Sequence, residues 1–248
     1  MWVSLAESVR GTSHVEANSE CQDYCEISEG ISSDPAAMLF ALADGAGSAK
    51  FSAIGSKIVV SEFCTRLRAL PLAPELVSRD IIAALVRDIR ERIKTEAEIL
   101  GCDVRELSAT LLAGCVSEKA SWFFQIGDGA IVGFKDGTYS ALTWPTNGEY
   151  ANSTVFVVSE DWEKHCQFVS VAARLTEVSA FTDGLQDLIL LHADKSVHTP
   201  FLRDLFSQIR AIADAKILAT PLRTFLESKP VNERTDDDKT LVLSCWID

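Results

Sequence analysis

The stretch Ala36-Ala37-Met38-Leu39-Phe40-Ala41-Leu42-Ala43-Asp44-Gly45-Ala46-Gly47-Ser48 is the one around which the chain is organised. An apolar run bounded by turn formers reads as a buried strand, and a carboxylate stands where that strand stops. Glycine has no Cβ, so Gly45 and Gly47 let the backbone turn sharply and approach a neighbour closely. An acid beside bare backbone suits a bound cation. It also suits an ordinary strand-to-helix loop, because Asp-Gly is a common turn pair. The remainder of the chain decides between the two.

With 248 residues, 47% of them hydrophobic, the chain can bury a sizeable core, and one domain over residues 1–248 is expected. No apolar run approaches the roughly 18 residues that span a bilayer, and the N-terminus lacks a basic region followed by an apolar segment. A soluble cytoplasmic protein follows. The seven cysteines, at positions 21, 25, 64, 102, 115, 166 and 245, are odd in number and scattered, which fits free thiols in a reducing compartment. A formal charge of −13 argues against nucleic acid or an anionic membrane as partner, since both draw affinity from a basic surface. An anionic substrate would need metal ions to reverse the local field.

Residues 2–9 and 36–43 carry strand composition, and the segment between them is rich in turn formers. Helical spacing runs over 53–70, ended by Pro71 and Pro74, and again over 75–100, with Gly101 as its stop. Short β segments follow at 109–116, 121–126, 130–134, 139–142, 155–158 and 178–181, with Asp136-Gly137 as a hairpin turn. Two further helices are expected at 201–213 and 221–227, and a last strand at 240–247. Helices in pairs and strands in runs indicate an α+β arrangement of antiparallel sheets covered by helices.

Acids recur at the expected strand ends: Asp44-Gly45, Gly127-Asp128-Gly129, Thr182-Asp183-Gly184 and Asp236-Asp237-Asp238. If those ends share one edge, the carboxylates converge without compensating lysines nearby in sequence. Packed bare carboxylates repel and must protonate. Hard divalent cations such as magnesium or manganese relieve this, and a pair of them can activate water for attack on a phosphoryl group. Phosphoester hydrolysis is the implied reaction.

At these residues the chain resembles the type 2C (PPM) family of metal-dependent protein serine/threonine phosphatases, in its small bacterial single-domain branch. The landmarks occur in the family's order: Cys21-Gln22-Asp23, Asp44-Gly45-Ala46-Gly47, Ser108-Ala109-Thr110, Gly127-Asp128-Gly129, Thr182-Asp183-Gly184-Leu185 and Asp237-Asp238-Lys239-Thr240. The resemblance implies a four-layer αββα sandwich with two divalent cations at one end. It makes Asp44 the bridge between both metals, Gly45 a carbonyl neighbour of the second, and Asp183 and Asp237 ligands of the first. Asp23 corresponds to an acid that orients metal-bound water, and Asp128, with Asp183, to a site for a weaker third metal in bacterial members.

Two departures stand out. Gln22 replaces a glutamate found in many members, and Ala46 replaces a histidine that in some eukaryotic members protonates the leaving alkoxide. The family's phosphate-binding arginine has no aligned counterpart, which leaves Arg10 and His14 as the nearest candidates for the substrate phosphate. The segment 143–150 falls where the family carries a variable flap, and suits a substrate-contacting loop or a solvated hairpin equally. His165-Cys166 lacks the arginine six residues on that a cysteine-dependent phosphatase needs, and the cysteines and histidines make no zinc spacing. The reading is therefore a phosphatase acting on phosphoproteins, served by a cognate kinase. The alternative is a catalytically silent domain of the same fold acting as a binding or regulatory module.

Overall fold

Alternation along residues 37–43 sets the layering. In a strand, successive side chains face opposite sides. Ala37, Leu39, Ala41 and Ala43 pack in one apolar cluster, and Met38, Phe40 and Leu42 in another. A strand buried on both faces reads as a continuous apolar run, which is how this one reads in the sequence.

The computed structural model describes residues 1–31, 33–146, 154–173, 175–212 and 216–247. In chain order, the strands are β1 (Trp2–Val9), β2 (Tyr24–Ile31), β3 (Asp34–Ala43), β4 (Leu111–Val116), β5 (Ser121–Ile126), β6 (Ala130–Lys135), β7 (Thr138–Thr143), β8 (Gln167–Val171), β9 (Glu177–Phe181), β10 (Leu190–Leu191), β11 (Ser196–Val197) and β12 (Lys239–Trp246). The helices are α1 (Thr12–Glu16), α2 (Ser52–Ala69), α3 (Arg79–Leu100), α4 (Trp162–His165), α5 (Gln186–Ile189), α6 (Thr199–Ala211), α7 (Lys216–Leu226) and α8 (Lys229–Asn232). Two five-stranded antiparallel sheets run in the orders β1-β12-β9-β6-β7 and β2-β3-β4-β5-β8. Apolar residues of α2 and α3 pack on the outer face of the second sheet, and those of α6 and α7 on the first. Trp2, Met38, Phe40, Phe123, Val178 and Val242 fill the space between the sheets. This is the αββα sandwich that the resemblance implies.

Several expected boundaries shift for physical reasons. The turn-rich segment before β3 contains α1 and β2, and residues 167–171, unassigned in the sequence, form β8. Both strands are outer members of their sheet, half-buried and rich in polar residues, so their apolar signal is weak. The second long helix starts at Arg79: Ser78 caps it, its hydroxyl accepting from the Ile81 amide, and a separate 3-10 turn occupies Pro74–Leu76. No strand forms over residues 155–158, where 155–156 are irregular and 157–158 a turn, although Val155 and Val157 are buried in the same apolar cluster as residues of α2 and α3. Helix α7 begins at Lys216 and carries Pro221 in its interior, where the sequence suggested a start. Gly101 ends α3 in the left-handed conformation, and Asp136-Gly137 makes the hairpin with positive φ at both residues. All seven cysteines are free, and among the described residues no helix is long and apolar enough to cross a membrane.

Candidate metal centre

Register brings the acids together. Phe181 pairs with both Ala130 and Leu241, so Asp183, the Asp128 turn and the residues before Thr240 emerge at one edge of the first sheet. Val9 pairs with Lys239, which lays residues 10–14 against Asp236-Asp237-Asp238. Tyr24 pairs with Ala43, which places Asp23 beside Asp44 on the second sheet. The two sheets thus contribute to one cleft of about 240 Å³, lined by Asp44, Gly45, Asp128, Asp183, Asp237 and His14, with Ser13, Ala46, Gly47, Thr154, Phe156 and Asp236 completing its wall.

Backbone hydrogen bonds fix the floor. The Asp44 amide donates to Thr110 Oγ1 at 2.8 Å, and the Thr110 amide donates to the Asp44 carbonyl at 2.8 Å. The Gly45 amide donates to the Gln22 carbonyl at 3.2 Å. A Cβ on Gly45 would lie 2.8 Å from that carbonyl oxygen and 2.8 Å from the Ser52 Cβ, so the glycine is required for close approach. Gly47 has open space around it and makes no such demand. The turn carrying Asp128 is locked by buried Gln125, whose Nε2 donates to the carbonyls of Gly127 and Gly129. Thr154 Oγ1 donates to Asp128 Oδ2.

Asp44, Asp128 and Asp183 each offer a carboxylate oxygen within 4.8 Å of the others. Asp237 shares the cleft, with one oxygen accepting from the Asp238 amide at 2.8 Å. Asp23 does not line the cleft: it is 5% exposed, and its Oδ2 accepts from Thr182 Oγ1 at 2.8 Å and Thr240 Oγ1 at 2.7 Å. Asp238, given no role in the sequence reading, is 2% exposed and accepts the amides of Gly11 and Gln22 at 2.6 Å each. The two phosphate candidates separate. His14 lines the cleft, whereas Arg10 is exposed outside it and donates to the Ser19 carbonyl at 3.0 Å. Of the expected flap, residues 143–146 run alongside Gln167 and Gly127, and residues 147–150 lie outside those described.

One expectation fails outright. No compensating lysine is expected near the acids, yet Lys239, which directly follows Asp238, is fully buried beside the cluster, its Nζ donating to Asn232 Oδ1 at 2.9 Å. Burial pushes its pKa down, against the pull of Asp238 and Asp237. The pairing of Lys239 with Val9 at the start of β12 is what carries it into the interior.

The carboxylates repel as expected. Burial, then the charges of Asp23, Asp183, Asp128 and Asp237, raise Asp44 well above the usual carboxylate range. Burial, then Asp128 and Asp237, lift Asp183 to about 7. Burial lifts Asp23 to about 8, against the hydrogen bonds from Thr240 and Thr182. An acid whose folded pKa lies above its unfolded value binds protons more tightly when folded. Its stabilisation is complete below about pH 4 and is lost as pH rises through the folded value. The metal-free protein should therefore melt several degrees lower at pH 8.5 than at pH 5.5. Manganese should raise the melting temperature more at the higher pH. Differential scanning fluorimetry with and without manganese checks both, and a melting temperature that rises with pH in the metal-free protein would contradict them.

A sandwich of this layering with an aspartate cleft at the strand ends defines a protein phosphatase of the 2C type. The chain belongs to the protein phosphatase 2C family, whose model matches residues 10–227. Serine/threonine-protein phosphatase 3 of Escherichia coli (strain K12) is 36% identical over 252 residues, spanning 100% of this chain and 99% of that protein. The catalytic domain of the serine/threonine protein phosphatase PstP, solved in complex with two manganese ions, superposes with a TM-score of 0.67 at 17% identity, over 100% of this chain and 99% of that one. The serine/threonine phosphatase Stp1 of Staphylococcus aureus gives a TM-score of 0.64 at 15% identity, over 100% of this chain and 96% of that one. These two likenesses concern the fold.

Proposed function

We propose that residues 1–248 act as one catalytic domain that hydrolyses phosphoserine and phosphothreonine in proteins, by direct attack of water activated between two divalent cations, manganese or magnesium. The observation that carries this reading is a pair of buried carboxylate oxygens on cleft residues without hydrogen-bond partners among the described residues, Asp128 Oδ1 and Asp183 Oδ1. An unpartnered buried acceptor is costly, and so is a packed set of carboxylates. Cations answer both costs, and a donor set made entirely of oxygen suits hard ions.

Asp44 would bridge the two ions, Asp183 and Asp237 would complete the first, and the Gly45 carbonyl would face the second. Asp128, with Asp183, would hold a weaker third. When bound, the cations supply a water of lowered pKa and a positive clamp on the phosphoryl oxygens. Asp23, fixed through Oδ2 by its two threonines, has a free Oδ1 and would be the acid that orients metal-bound water, as the family resemblance implies. Gln22 offers a neutral oxygen where a glutamate would add charge, so a second ion would be held more weakly. His14 stands where a phosphate would enter. A cytoplasmic serine/threonine kinase would generate the phosphoprotein substrates.

The test is phosphate release from phosphoserine and phosphothreonine peptides. Turnover should require manganese or magnesium, stop on chelation, and exceed that on phosphorylated metabolites. Metal-independent turnover, or none at any metal concentration, would overturn the reading.

A further inference from the structure

We infer that His14, paired in charge with the buried Asp238, is the general acid that protonates the departing serine or threonine oxygen. This rests on the phosphatase reading above and adds a residue to it. Expulsion of an alkoxide needs a proton at neutral pH. Among the described residues lining the cleft, the side chains other than His14 are carboxylates, hydroxyls or apolar groups, and His14 alone carries an imidazole.

Its placement is built in. The Asp238 carboxylate is inaccessible to solvent and takes the Gly11 amide on Oδ1 and the Gln22 amide on Oδ2, both at 2.6 Å. His14 Nδ1 stands 2.8 Å from the same Oδ1. Helix α1, which carries His14, is pinned at its first turn: the Ser13 amide and hydroxyl donate to the Asp236 carbonyl at 3.0 and 2.7 Å. The contact is an ion-pair distance without hydrogen-bond geometry, so Asp238 places its charge beside the Nδ1 edge of the ring, and Nε2 is the nitrogen assigned to the proton transfer. The side chain is 16% exposed, open to solvent for reloading.

The step balances. A water that has released one proton to solvent forms the new P–O bond. The bond from phosphorus to the seryl oxygen breaks, its electron pair remains on that oxygen, and the Nε2 proton of imidazolium His14 goes to it. Neutral His14 then regains a proton from solvent. Turnover consumes one water and releases alcohol and inorganic phosphate.

A phosphate-binding group would serve every phosphomonoester alike, whereas a general acid matters only for a poor leaving group. The experiment compares His14→Gln and His14→Ala with the unsubstituted protein on a phosphoserine peptide and on p-nitrophenyl phosphate, whose leaving phenolate needs no proton. The expected result is a fall in kcat of about 10²-fold or more on the peptide. On p-nitrophenyl phosphate the change should stay within about threefold, with manganese affinity by calorimetry retained. Added imidazole should restore part of the peptide rate in His14→Ala. Equal losses on both substrates would overturn the assignment in favour of phosphate binding, and loss of fold or manganese binding in both variants would overturn it in favour of a structural role. An unsubstituted protein inert toward both substrates would overturn the phosphatase reading itself.

Discussion

Asp44→Asn is expected to lower kcat/KM on a phosphoserine peptide by about 10³-fold or more, on the order of 4 kcal/mol of transition-state stabilisation, at saturating manganese. The fold supplies the reason. Asp44 directly follows β3, is clamped through its backbone to Thr110, and brings its carboxylate into the set formed with Asp128 and Asp183. On the proposed reading Asp44 would be a ligand shared by two ions, and a neutral amide there would remove charge from both. The same substitution should have the opposite effect on the metal-free protein. It removes one of the mutually repelling acids, so the melting temperature at pH 8 should rise by a few degrees. Gain of stability with loss of turnover separates a functional carboxylate from a structural one. A variant that melts lower and keeps its manganese-dependent activity would contradict the assignment.

Gly184→Ala is expected to destabilise the protein by about 3 kcal/mol and to abolish tight manganese binding. A Cβ at this position would lie 2.0 Å from the Asp238 carbonyl oxygen, backbone that has no rotamer with which to yield. Relief requires the strand start at β12 to move away from β9. That displacement would reach the Asp238 carboxylate, and with it Gly11, Gln22 and His14. It would also shift Asp183, the adjacent residue. Urea denaturation measures the first effect and calorimetric titration the second; stability and affinity like those of the unsubstituted chain would show that the two strands have slack which the packing denies.

The legible parts of the sequence are those where one residue type has one physical outcome. Strand β3 from Ala37 onward and strand β12 are buried on both faces, so their apolar runs survive as signals, unbroken in β3 and interrupted by Ser244 in β12. Asp44 and Asp183 stand next to glycines that the close packing demands, and the motif therefore reports the geometry. Edge strands β2 and β8 are half solvated and read as turns or as nothing. Within Asp236-Asp237-Asp238 three identical residues take three environments: an exposed backbone acceptor for Ser13, a cleft carboxylate, and a buried anchor for the N-terminal loop. Only the pairing of Val9 with Lys239 decides which is which. Burial of Lys239 and the contact between His14 and Asp238 depend on the same register, across more than two hundred residues of sequence, and have no local signature.

The most direct test of the account is anomalous diffraction from a crystal soaked in manganese. Two ions roughly 4 Å apart should stand in the cleft, with Asp44 touching both and Asp183 and Asp237 completing one of them. A cleft without manganese, or ions that leave Asp44 untouched, would contradict the claim that this carboxylate joins a two-metal centre.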